Sequence, residues 1–195
     1  MLPDPGGRTP APEPLRAIQA FVNTLDIENG LEELGDPAAL AEVLERTGLA
    51  GDVQPTAADL RVAIEVREAL RSLLLANNGV EVMASALAPL ERAARAANLA
   101  ARFGADGSAQ LVADAPGVDG ALGRLVAIVV VARADGSLTR LKACRRDVCH
   151  WVYYDRSRNH GSTWCSMAVC GNRTKVRSYR SRQKSPTSPS SSRIA

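Results

Sequence analysis

Cys144-Arg-Arg-Asp-Val-Cys149 and Cys165-Ser-Met-Ala-Val-Cys170 hold all four cysteines of this 195-residue chain, with 15 residues between the pairs. Two pairs of equal spacing read as a four-thiolate metal site. Zinc takes four such ligands at the corners of a tetrahedron, and each pair supplies one turn that points two sulfurs at the ion. Four cysteines can also hold an iron–sulfur cluster, which composition leaves open. Four thiolates would complete a structural zinc site and leave no open position for catalysis. His150 and His160 are two further candidate donors. With four cysteines present, both read as bystanders, His150 beside a ligand and His160 in a turn.

The residues between and after the pairs build a small module. Trp151-Val-Tyr-Tyr154 reads as a strand that gives it an aromatic core, and Ser157–Ser162 as a turn. Cys165 and Cys170 are five apart, about 140° round an ideal helix, so they cannot share a helix face. A helix carrying them must begin late or be broken, and the spacing predicts one from Arg173 through Arg182. Positions 173, 177 and 180 share a face at helical spacing.

Charge divides the chain at the same place. Residues 1–140 hold 12 Arg against 19 Asp and Glu, a net of −7, whereas residues 141–184 hold 11 Lys and Arg against 2 Asp, a net of +9. No acid follows Asp155, so local salt bridges do not explain the arginines of the last run. A basic module of this kind suits nucleic acid or phosphate. The candidate contacts are Arg145, Arg146, Arg156, Arg158, Lys175, Arg177, Arg180 and Arg182, with Lys142 in the same patch. Trp164, Tyr153, Tyr154 and Tyr179 are able to stack on bases. Core positions suit Trp151 and Trp164 better, and Tyr179 stays open.

Upstream of residue 140 the pattern is helical. Leu15–Leu25 repeats apolar residues at Ile18, Phe21, Val22 and Leu25. Asp36-Pro37 begins a helix that runs to about Arg46. Thr56-Ala-Ala-Asp59 is a capping box with Asp in place of Glu, and opens a helix striped by Leu60, Ile64, Arg67, Leu70 and Leu74. Asn77-Asn78-Gly79 ends it. Residues 80–103 read as helical with a break or fresh start at Pro89, 110–114 as a short strand and 119–134 as an apolar helix, within which 126–132 could instead be a buried strand. A strand over 137–143 leads into Cys144. The expected fold class is mainly α (α+β): a helical domain over 15–136 with a few short strands, then a four-cysteine module over 141–184 ending in a basic helix. Residues 1–14 and 185–195, rich in Pro, Gly and Ser, are expected to be disordered.

At 164–177 the sequence resembles the CGNR zinc finger, named for the residues that stand here as Cys170, Gly171, Asn172 and Arg173. The first half agrees, with Cys144-x4-Cys149 and then Asp155-x-Ser157-Arg158-Asn159. His160-Gly-Ser-Thr163 departs from the pattern, where the family more often carries arginine. The region before it is similar to the ABATE domain that commonly precedes this finger, through Phe21-Val-Asn-Thr24, the helix begun by Pro37, and Arg67-Glu68-x-Leu70-Arg71. Such proteins are regarded as stress-induced transcriptional regulators of bacteria. The resemblance implies one zinc per chain on Cys144, Cys149, Cys165 and Cys170, with Gly171, Asn172 and Arg173 as motif residues and Arg173 bracing the metal loop.

The expected function is a DNA-binding regulator whose body senses a signal or dimerises. An RNA-binding module and a zinc-stabilised protein adaptor are the alternatives. Phe21, Asn23, Thr24 and Arg71 either line a small-molecule pocket in the body or serve helix packing and caps. No phosphate loop, His cluster or nucleophile constellation points to an enzyme. The longest apolar run, 125–132, is far short of the roughly 20 residues needed to cross a bilayer, and no secretory signal is visible. A cytoplasmic protein is expected, where clustered cysteines serve as ligands more than as disulfides.

Overall fold

Two helix starts are held by their own side chains. Asp36 caps α2 (Pro37–Arg46) by accepting from the Ala39 amide at 2.9 Å. Thr56 and Asp59 cap α3 (Ala57–Ala76) reciprocally. A computed structural model describes residues 7–173. With α1 (Leu15–Val22), α4 (Ala88–Ala96) and α5 (Gly117–Ala134), these helices form the body. The 20-residue α3 lies at its centre, against α1, α2, α4 and α5. Ile18, Phe21, Leu40, Leu44, Leu70, Leu74, Leu122 and Leu125 fill the space between them. No helix among the described residues is long and apolar enough to cross a membrane.

Three antiparallel hairpins complete the architecture. They are β1 (Leu25–Asp26) with β2 (Leu31–Glu32), β3 (Ala100–Phe103) with β4 (Ala109–Val112), and β5 (Leu141–Ala143) with β6 (Val152–Tyr154). The last joins the cysteine module to the body. In its register Leu141 faces Tyr154, Lys142 faces Tyr153 and Ala143 faces Val152. Successive strand residues point to opposite faces. Leu141, Ala143, Val152 and Tyr154 accordingly join the core of the body, while Tyr153 joins the module's own core.

Several expectations are corrected. Residues 80–103 are not one helix: a 3-10 turn at Ala84–Leu87 precedes α4, and Ala100–Phe103 is a strand. Asn98, at φ 48°, ends the helix in the left-handed region, and Leu99 donates back to the Ala94 carbonyl at 3.1 Å. Gly136, at φ 82°, turns residues 137–140 into a 3-10 helix, so only 141–143 is strand. The β1–β2 hairpin was not foreseen.

Within residues 7–14, expected to be disordered, Arg8 and Pro10 bond to the module and Ala11 packs into the core of the body. Arg8 donates to Ser162 Oγ at 3.0 Å and to the Trp164 carbonyl at 2.9 Å, with its guanidinium 4.7 Å from the Tyr153 ring centroid. Ala11 is buried, and its amide donates to Gln19 Oε1 at 2.7 Å. The expected boundary near residue 140 therefore separates two kinds of sequence but not two packing units. Residues beyond 173, including the basic helix expected through Arg182 and the Ser/Pro tail, lie outside the described residues.

Candidate metal centre and its surroundings

Backbone hydrogen bonds aim the sulfurs. Cys144, just after β5, donates its amide to the Trp151 carbonyl at 3.0 Å, and Cys149 closes its loop by donating to Arg146 O at 2.8 Å. The second pair is shaped by a π-helical turn, Met167–Gly171, capped by the Ser166 side chain accepting from Val169 N. A π turn is wider than an α turn. It is the local break that lets Cys165 and Cys170 face one point.

All four sulfurs are buried and lie within 4.8 Å of one another. Cys165 and Cys170 are 3.5 Å apart and Cys149 and Cys165 are 3.7 Å apart. A tetrahedron with zinc–sulfur bonds of about 2.3 Å has edges of about 3.8 Å. A disulfide needs about 2.05 Å. The donor set therefore fits one tetrahedral ion, with no room for the several metal atoms of a larger cluster. Hydrogen bonds shared among the thiols hold Cys144 well below the ordinary thiol range and push Cys149 and Cys165 up. A zinc ion, when bound, replaces that proton sharing with four bonds to thiolates. His150 and His160 stand outside the cluster, both at positive φ, 48° and 49°, in turns.

The motif residues have separate physical reasons. A Cβ on Gly171 would come within 2.7 Å of Met167 Sδ and 3.2 Å of Trp164 Cδ1, so the π turn packs too closely for a side chain there. Asn172 is exposed and follows that turn as its C-cap. Arg173 is exposed and pairs with Glu28 of the body.

A buried ion pair braces the centre. Lys142 Nζ lies 2.9 Å from Asp155 Oδ2 and also donates to the His160 carbonyl. Asp155 accepts from the amides of Ser157 at 2.9 Å and Ser162 at 3.0 Å. Burial disfavours its ionised form, but the bonds from Ser157 and Lys142 prevail and hold the carboxyl at about 2. Lys142 therefore belongs to the interior and is withdrawn from the expected basic patch.

The expected nucleic-acid residues divide. Arg145, Arg156 and Arg158 are exposed, and Arg156 also donates to Pro10 O at 2.9 Å and covers the Tyr154 ring. Arg146 is half-buried, 2.7 Å from Glu28 and 3.8 Å from Cys170 Sγ. Lys175, Arg177, Tyr179, Arg180 and Arg182 lie outside the described residues. Trp151 and Tyr153 are buried and unable to stack on a base; Trp164 and Tyr154 are half-buried.

Phe21, Asn23, Thr24 and Arg71 line neither the cleft between α3 and α4 nor the one on the finger, and two of them, Asn23 and Arg71, tie the body to the finger. Phe21 is fully buried in the helical core. Asn23 donates to Val152 O and accepts from Val152 N, both at 2.8 Å, pairing the free edge of β6. Thr24 donates to Phe21 O at 2.8 Å. Arg71 donates to Val22 O at 2.8 Å and to His150 O at 3.1 Å, one residue from the clustered Cys149. Its neighbour Arg67 grips both oxygens of Glu32, at 2.6 and 2.8 Å. Asn78, read from sequence only as part of a helix stop, donates to Ala143 O at 2.8 Å and Thr163 O at 3.0 Å. No signal in the sequence marked Gln19, Glu28 or Asn78 as docking residues. Clefts lie elsewhere: one of about 400 Å³ between α3 and α4, lined by Glu65, Glu68, Ser72 and Arg92, and one of about 440 Å³ on the finger beside Trp164 and Met167.

Comparison with known families places these two regions. Residues 15–140 match the ABATE family, whose description reads "Putative stress-induced transcription regulator", and residues 140–183 match the CGNR zinc finger. No curated protein matches the sequence.

Proposed function

This chain belongs to the ABATE family and carries a CGNR zinc finger, and from that premise we propose that it is a DNA-binding transcriptional regulator. One zinc per chain, on Cys144, Cys149, Cys165 and Cys170, would fix the finger. Its arginines would grip the phosphate backbone, and the helical body would sense a signal or dimerise. The protein acts by binding, not catalysis, in the cytoplasm.

The observation that carries this reading is a buried four-sulfur cluster, two of its edges close to those of a zinc tetrahedron, in a finger that exposes Arg145, Arg156 and Arg158. The basic run 173–184 follows directly in the sequence and contains no acid. Phosphate contacts supply most of the affinity of such modules, and base contacts supply specificity.

The test compares duplex DNA, single-stranded RNA and heparin against the zinc-loaded full chain. With about five phosphates neutralised, log K for duplex DNA should fall with log salt at a slope of roughly −4 to −5. Tighter binding to RNA moves the reading to an RNA module. Binding to neither nucleic acid leaves a zinc-stabilised protein adaptor. Elemental analysis should give one zinc per chain, and iron in its place would overturn the assignment of the metal.

A further inference from the structure

The β1–β2 hairpin of the body reaches the finger through Glu28. Glu28 gives Oε2 to Arg146 at 2.7 Å and Oε1 to Arg173. Each carboxylate oxygen thus meets a different guanidinium. Arg146 also lies 3.8 Å from the sulfur of Cys170, and Arg173 is the arginine of the finger motif, so the paired anion lies against the metal loop.

The hairpin is held in position from both ends. At its tip Asp26 accepts from Asn29 N at 3.1 Å and from Asn29 Nδ2 at 2.7 Å, and Gly30 turns the chain at φ 66°. At its base Glu32 is gripped by Arg67, which is 2% exposed. The carboxylate is therefore delivered by a braced loop.

A carboxylate and a phosphate present the same pair of oxygens to a two-arginine fork. We propose that Arg146 and Arg173 form a phosphate-binding fork, and that the Glu28 carboxylate of the body occupies it as a built-in competitor until nucleic acid displaces it. The inference deepens the nucleic-acid reading and rests on it. The body then controls the finger directly: any event that withdraws residues 25–32 frees two arginines at the metal loop. Because the pairs are partly exposed, solvent screens them and the competition is modest.

The experiment measures duplex DNA binding across a salt series for the zinc-loaded full chain, E28Q and E42Q. Glu42 is exposed on α2, so E42Q controls for the loss of one negative charge. E28Q should bind about three- to tenfold tighter than E42Q, with a salt slope steeper by about one to two units as the freed arginines reach phosphate. Adding R146A and R173A to E28Q should abolish that gain. Equal affinities and slopes for E28Q and E42Q, or zinc loss from E28Q that marks Glu28 as a strut, would overturn the proposal. If no variant binds DNA, the nucleic-acid reading fails, and elution from heparin decides the fork separately. Later elution of E28Q than of E42Q sustains it, and co-elution overturns it.

Discussion

The helical body and the cysteine finger bury their interiors by different means. The body interlocks aliphatic side chains, Ile18, Leu40, Leu70, Leu122 and their neighbours, between helices. Among the described residues, the finger's buried cluster is Trp151 and Tyr153 beside its four cysteines, with Trp164 and Val169 packed against them. A core so small does not hold a fold without a staple. The metal is one staple and the body is the other. Asn23 and Gln19 bond to Val152 O, Asn78 to Ala143 O and Arg71 to His150 O, so polar groups of α1 and α3 complete the finger's backbone bonding. In return the finger's hairpin donates Leu141, Ala143 and Val152 to the body's core. The lesson is that a boundary in charge and motif need not be a boundary in packing.

The harshest way to break the comparison is to remove the metal. Structural zinc contributes on the order of 10 kcal/mol to such a module. C144S, or chelation, should unfold the finger and also lower the melting temperature of the body, which loses its hairpin. Calorimetry should give one coupled transition, and an unchanged body transition would restore two independent domains. Truncation after residue 136 asks the same question from the other side. It strips Leu138, Leu141 and Val152 from the core, about 6 kcal/mol of burial at ~2 kcal/mol each, against a typical stability of 5–15 kcal/mol. The fragment should keep far-UV helical signal and lose near-UV and NMR dispersion; a well-dispersed spectrum would contradict the shared core.

Smaller changes sharpen the picture. D155N leaves Lys142 buried without its charge partner and should cost about 3–5 kcal/mol in denaturant unfolding. The Asp155 carboxyl is lowered from 3.8 to about 2. Its contribution is therefore full above about pH 4 and fades as pH falls toward 2, so the cost of D155N should be equal at pH 5 and pH 7.5. G171A crowds Met167 and Trp164 and should cost about 1–3 kcal/mol, read as easier zinc release to a chelator. R145A and R158A touch exposed groups. Each should leave stability unchanged and flatten the salt slope for DNA by about one unit, whereas a change in melting temperature would make them structural.

How much of this was legible beforehand follows from the range of each interaction. Asp36 and Thr56 cap helices within three residues, and the cysteine pairs are local turns, so spacing alone revealed them. The failure over 80–103 came from the same source: alanine-rich sequence is permissive, and Asn98 stopped the helix through a backbone angle that composition does not announce. Of the candidate pocket residues Phe21, Asn23, Thr24 and Arg71, Asn23 and Arg71 bond far along the chain, to Val152 and His150. Local pattern cannot say whether a buried polar group faces a ligand or another backbone.

By itself the sequence determined the helical body, the paired cysteines and the separation of charge, because periodicity, spacing and net charge are properties of neighbouring residues. Only the tertiary structure decided that Lys142 is a buried partner of Asp155, that Arg8 reaches the finger, and that Glu28 meets Arg146 and Arg173. Those outcomes depend on which distant groups the packed core brings within hydrogen-bonding reach, and burial then obliges each polar group to find a partner.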